Sequence, residues 1–281
     1  MDMLVSTDWL AQKCSTSDLV ILDATAHLPN AGRDPRAEYL HAHIPGARFL
    51  DLPSLKNVDS SVPNAIPTRD QLGERLRSLG VNSGDRIVLY DDSAVKTSAR
   101  AWFMLRHYGV DRVAILDGGL AKWKAEGRDL ETGPADNPRG KFDTGEPSSR
   151  IRTKADMLAN IATDSEQVLD ARDAGRFSGE VEDTIHNLPT GHIPGSHNLP
   201  FNLLFAPDGT FLPKADIKKA FVKTGIDLAR PVTTTCGSGV TASVLLFALE
   251  LIGKPGGALY DGSWSEWGAD PETPNAAGAG R

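Results

Sequence analysis

The segment Thr235-Cys236-Gly237-Ser238-Gly239-Val240-Thr241 puts a thiol, hydroxyls and two glycines at one junction. Before it runs a β-branched stretch, residues 232–235, and after it an apolar helical stretch, residues 242–252. A cysteine between a strand end and a helix start sits where backbone N–H groups have no intrahelical partner. Those donors and the helix dipole favour a thiolate over a thiol. Gly237 and Gly239 can take positive φ, which lets the loop curl its amides towards one centre. The chemistry implied is that of a nucleophilic or sulfur-carrying cysteine. Cysteine is also a common small buried residue. The glycines, serine and threonine crowded around Cys236 favour the functional reading.

Positioning such a loop requires a strand and a helix, and the chain contains the required pattern twice. His43-Ile44-Pro45-Gly46 recurs as His192-Ile193-Pro194-Gly195, 149 positions on. Leu22-Asp23-Ala24 recurs as Leu169-Asp170-Ala171, and Asp117-Gly118-Gly119 as Asp261-Gly262-Ser263, with Trp123 matching Trp267. Landmarks that keep their order at a slowly drifting offset mark two copies of one domain. The first copy is expected over 1–132 and the second over 151–281. The Gly-, Pro- and polar-rich residues 133–150 are expected to link them.

Strands are expected at Leu19–Asp23, Arg86–Tyr90 and Val113–Leu116, with a helix over 98–108. The second copy repeats them at Gln167–Asp170, 231–235 and 257–260, with the helix over 242–252. Short apolar strands alternating with helices predict two α/β domains, each with a mostly parallel sheet flanked by helices. Ligands on such sheets bind beyond the carboxyl ends of strands, where Cys236 falls. Aligning the copies places Asp91 opposite Cys236. A carboxylate cannot carry sulfur, so only the second copy is expected to be catalytic.

A net charge of −7 over 281 residues argues against nonspecific nucleic-acid or anionic-membrane partners. Two cysteines, Cys14 and Cys236, suit a reducing compartment. No metal-type Cys/His spacing is present. The first 13 residues lack a basic region followed by an apolar one, and a cytoplasmic protein is expected. Position 242 is Ala, so the arginine that closes a Cys-x5-Arg phosphatase loop is missing.

The tandem copies, the paired HIPG motifs, the DGG and DGS-W segments and the cysteine loop resemble the rhodanese (sulfurtransferase) superfamily along nearly the whole chain. The loop itself is similar to that of 3-mercaptopyruvate sulfurtransferases. Thiosulfate-preferring rhodaneses carry one or two basic side chains there. The resemblance implies an inactive rhodanese-like domain, a linker and a catalytic rhodanese-like domain. It implies an enzyme in which Cys236 takes sulfane sulfur from 3-mercaptopyruvate as a persulfide, releasing pyruvate. A thiol acceptor such as thioredoxin or glutathione, or cyanide, then removes the sulfur. The persulfide is the intermediate, and no other cofactor or metal is implied.

Under that resemblance the amides of Gly237, Ser238, Gly239, Val240 and Thr241 hold the anion, and Ser238 relays a proton or bonds a carbonyl. Arg176 binds the donor carboxylate. A second arginine nine residues further on is replaced by Ile185, next to which His186 is expected to take over part of its role. The family's acidic and histidine positions after the first HIPG fall on Pro53 and Asn64. Arg172 is expected to form a structural ion pair, and His43 and His192 to fix turns. Two alternatives stay open: a thiosulfate sulfurtransferase, and a persulfide-carrier or regulatory protein with low turnover.

Overall fold

The computed structural model describes residues 1–281. The chain forms two compact units. The first is Met1–Val58, Ile66–Ser148 and Phe205–Phe211, and the second is Asp59–Ala65, Ser149–Leu204 and Leu212–Arg281.

The first unit runs β1 (Leu4–Val5), α1 (Thr7–Lys13), β2 (Leu19–Asp23), α2 (Pro35–His41), β3 (Arg48–Phe49), α3 (Arg69–Ser78), β4 (Arg86–Tyr90), α4 (Ser98–His107), β5 (Val113–Leu116) and α5 (Gly119–Ala125). Its sheet has the order β1-β5-β4-β2-β3, parallel throughout. Strands covered on both faces have no polar side to alternate with, which is why residues 19–22 of β2 and 87–90 of β4 read as continuous apolar runs. Val5, Ile21, Val88, Leu116 and Trp123 belong to one buried cluster.

The second unit repeats the plan: β6 (Ile151–Arg152), α6 (Lys154–Thr163), β7 (Gln167–Asp170), α7 (Ala174–Ser178), β8 (His197–Asn198), α8 (Lys214–Lys223), β9 (Val232–Thr235), α9 (Val240–Leu251), β10 (Ala258–Tyr260) and α10 (Ser263–Trp267). Its order, β6-β10-β9-β7-β8, is again parallel. The strands and helices expected from the sequence are therefore present, each within a residue or two. The two-residue edge strands β1, β3, β6 and β8 are too short to announce themselves by pattern, although those after HIPG follow its turn.

Corresponding registers place corresponding loops. Asp170 pairs with Thr235, and the Ala171 N–H donates to the Thr235 carbonyl at 2.9 Å. In the first unit Asp23 pairs with Tyr90, and the Ala24 N–H donates to the Tyr90 carbonyl at 2.8 Å. Asp91 and Cys236 thus occupy the same point beyond the central strand, β4 or β9, of each copy.

Hydrogen bonds explain which unit each irregular segment joins. Gly133, Gly140, Gly145 and Ser148 donate backbone N–H groups to the carbonyls of Leu40, Arg77, Tyr108 and His107, so residues 133–148 lie pinned along the first unit. The Phe205–Phe211 turn is held there too. Its Phe211 N–H donates to Asp117 at 2.8 Å, Asp208 pairs with Lys122 at 3.0 Å, and the Lys96 ammonium lies 5.2 Å from the Phe205 ring centre.

His43 and His192 are buried and stacked on Tyr39 and Phe177, with centroids 4.1 and 3.9 Å apart. Their Nδ1 atoms bond the carbonyls of Tyr39 and Phe177. The expected structural role of both histidines is what the geometry displays. Trp123, Trp264 and Trp267 are core residues whose indole N–H groups donate to the carbonyls of Asp129, Pro189 and Pro274. Burying an indole while satisfying its one donor retains the apolar gain without an unpaired polar group.

Candidate active site

β9 carries Val-Thr-Thr-Thr, branched residues that fit a fully buried central strand. The chain leaves it at Cys236, which is 1% exposed, and re-enters helix at Val240 through Gly239 at φ 77°. Only glycine adopts that left-handed conformation without cost.

Each carbonyl of the intervening loop has a partner. That of Cys236 accepts from the Trp264 N–H at 2.9 Å, and that of Gly237 from the Ser265 N–H at 2.8 Å. The Ser238 carbonyl accepts from Asn64 Nδ2 at 3.1 Å, and the Gly239 carbonyl from Ser243 Oγ at 2.9 Å. In a trans peptide the next N–H points opposite to the carbonyl. The N–H groups of Gly237, Ser238, Gly239 and Val240 are therefore turned away from these partners, the arrangement an anion-binding loop needs. The Cys236 N–H itself donates to Ser263 Oγ at 3.1 Å.

His186 lies against this loop. A β-carbon on Gly237 would come within 2.3 Å of His186 Cε1 and 2.8 Å of Nε2, so the residue after the cysteine must be glycine while the imidazole is in place. The ring is oriented by Asp183, whose Oδ2 lies 3.0 Å from Nδ1. Asp183 also accepts the backbone N–H groups of Ile185 and His186. Burial alone would push the Asp183 carboxyl up, but hydrogen bonding and charge from His186, with Arg176 nearby, hold it down at about 2.

Arg176, on α7, pairs with Asp173 and lies 3.6 Å from Asp183. It and His186 thus converge on one carboxylate, with side chains 16% and 18% exposed. Arg172 is fully buried, bidentate on Asp170 with the shortest contact at 2.7 Å, and stacked 4.4 Å from the Trp264 ring centre. Its expected ion pair is present. Val240 and Thr241, half-exposed, open α9. Asn64 reaches the loop with φ 59°, whereas Pro53 stays on an exposed turn of the first unit.

One contributor, Asp183, was not singled out from the sequence. Asp183 precedes His186 by three residues, a spacing that a turn can close into a side-chain contact, but nothing in the pattern says that it is buried. Asn64 stands out in the sequence only for its position, and its bond to a backbone carbonyl depends on the fold.

The equivalent point of the first unit is already filled. Asp91 accepts the N–H groups of Ser93 and Ser98 at 2.9 and 2.8 Å, so its own carboxylate occupies the helix-start cradle.

The family model described as a rhodanese-like domain matches residues 6–126 and again 153–270. The chain belongs to the rhodanese-like family. It is 37% identical to 3-mercaptopyruvate sulfurtransferase of Escherichia coli (strain K12) over 271 residues, 96% of each chain. It is 36% identical to thiosulfate/3-mercaptopyruvate sulfurtransferase 2 of Arabidopsis thaliana, covering 96% of this chain and 85% of the relative. The crystal structure of SseA from Escherichia coli superimposes with a TM-score of 0.85 at 36% identity, over 95% of this chain and 100% of that one. The protein is an enzyme of the sulfurtransferase class, built as two rhodanese-like domains. No helix is long and apolar enough to cross a membrane.

Proposed function

We propose that this protein takes the thiol sulfur of 3-mercaptopyruvate, carries it as the outer sulfur of a persulfide on Cys236, and passes it to a thiol acceptor. The observation that carries the proposal is Cys236 at the mouth of a Gly-Ser-Gly loop with no cationic side chain in it. Thiosulfate is a dianion that leaves as sulfite, and cations in the loop would favour it. Mercaptopyruvate leaves as an enolate, for which a hydroxyl and backbone amides suffice.

In the first step the Cys236 thiolate attacks the donor sulfur, an S–S bond forms and the C3–S bond breaks. The electron pair goes to the pyruvate enolate. The proton on the transferred sulfur passes to C3, by way of the Ser238 hydroxyl, leaving pyruvate and an anionic persulfide. The turned N–H groups of residues 237–240, with that of Thr241 in the first turn of α9, hold that anion. Arg176 and His186, gathered by Asp183, are the groups for the donor carboxylate. In the second step an acceptor thiolate, from glutathione or a thioredoxin-type protein, attacks the outer sulfur and returns the Cys236 thiolate. Both cysteines are free, which suits a reducing compartment such as the cytoplasm.

A side-by-side assay tests this: sulfur transfer to cyanide from 3-mercaptopyruvate and from thiosulfate, with wild type and Cys236→Ser. The expected result is Cys236-dependent turnover that strongly favours mercaptopyruvate. Preference for thiosulfate would overturn the donor. That second reading is kept because the plant relative's name carries both donors. No turnover with either would favour a persulfide carrier.

A further inference from the structure

Arg172 does more in this geometry than close an ion pair. Its Nε and Nη2 face Asp170, and Nη2 also donates to the Gly191 carbonyl at 2.7 Å. Its Nη1 is buried with no hydrogen-bond partner, on a side chain 1% exposed. A buried guanidinium with an idle N–H is costly unless something with negative charge uses it.

The fold brings one candidate close. Residues 171 and 236 follow the paired strand ends Asp170 and Thr235 on adjacent parallel strands. The Trp264 ring that stacks on the guanidinium belongs to the residue whose N–H binds the Cys236 carbonyl. Burial works against the charge of Arg172, and attraction to Asp170, Asp183 and Cys236 more than offsets it.

The duplication supplies an internal comparison. Thr25 stands where Arg172 does, in the copy that has Asp91 in place of the thiol. There the Thr25 hydroxyl donates to Asp23 and accepts the Asp92 N–H at 3.0 Å, and burial pushes the Asp23 carboxyl up. At this aligned position the arginine occurs only in the copy that has the cysteine.

We propose that Arg172, anchored by Asp170, is the fixed cation that stabilises negative sulfur at Cys236, as the resting thiolate and as the persulfide. The inference rests on the sulfur-transfer reading for the persulfide half only, since the thiolate half can be measured without a donor. The other ionisable groups on the elements around Cys236 are Asp170, Asp173, Arg176, Asp183 and His186 on one side, and Glu250, Tyr260, Asp261 and Glu266 on the other.

The test is the pH profile of Cys236 alkylation by iodoacetamide, followed at the Cys236 peptide by mass spectrometry so that Cys14 does not interfere. Arg172→Gln should move the half-maximal pH up by about one unit, a roughly tenfold slower alkylation below it, with the high-pH plateau unchanged. Arg172→Lys should recover part of the shift. His186→Gln, measured alongside, separates any contribution of the imidazole. Removing one member of a buried pair can unfold the protein, so Asp170→Asn/Arg172→Met, which buries no charge, is measured as well. Both variants that lack the cation should shift, and an unshifted profile in Arg172→Gln or in Asp170→Asn/Arg172→Met, where that variant unfolds cooperatively, would overturn the proposal. Turnover lost in wild type would count against the sulfur-transfer reading and leave the alkylation result standing.

Discussion

The His186 imidazole occupies the space that a side chain on Gly237 would need, with Cε1 2.3 Å from the site of its β-carbon. The residue after the cysteine is therefore coupled to a histidine 51 positions earlier in the chain.

Gly237→Ala should displace the imidazole, raise KM for the donor and lower stability by about 1–3 kcal/mol, the usual cost of overpacking. Adding His186→Ala should restore most of the stability without restoring donor binding. A thermal-unfolding double-mutant cycle checks this, and additive losses would show that the two residues do not compete for space.

Asp183 makes stability depend on pH. Its carboxyl is more acidic in the folded chain, about 2 against 3.8, so it contributes stability above pH 4 that is lost as pH falls towards 2. That difference is worth roughly 2 kcal/mol. Asp183→Asn should be less stable than wild type by about that amount at pH 7, and the gap should close between pH 4 and 2. Denaturant unfolding across that range measures it.

Asn64 holds the Ser238 carbonyl from a left-handed backbone. Asn64→Gly keeps that conformation and loses the bond to Ser238, for an expected cost of about 1 kcal/mol or more and a several-fold fall in kcat. Asn64→Ala adds backbone strain and should be less stable again. Equal kcat in wild type and Asn64→Gly would show that the bond does not position Ser238.

Asp91 fills its own helix-start cradle, so replacing it should not create a second site. Asp91→Cys in a Cys236→Ser background should gain no sulfur by mass spectrometry after donor treatment. It should also lose about 1 kcal/mol of stability as the contacts to the Ser93 and Ser98 N–H groups weaken. Sulfur uptake there would overturn the reading of the first copy as inactive.

The sequence by itself determined the duplication, the central strands and the loop at Cys236. These rest on local causes: apolar runs that only a doubly covered sheet can bury, HIPG turns, and glycine where the loop enters α9. It also separated Asp91 from Cys236, because the chemistry of a side chain is legible wherever it folds. What only the tertiary structure decided is which distant groups meet that loop. Asp59–Ala65 joins the second unit and Phe205–Phe211 the first, through contacts to residues far away in sequence. Asp183, His186 and Gly237 interlock by volume and hydrogen bonding. Arg172 and Arg176 sit four residues apart in one short segment, yet one is buried against Trp264 with an idle donor and the other faces Asp173 and Asp183. Sequence spacing carries no information on burial of that kind, and burial sets what a charge is worth.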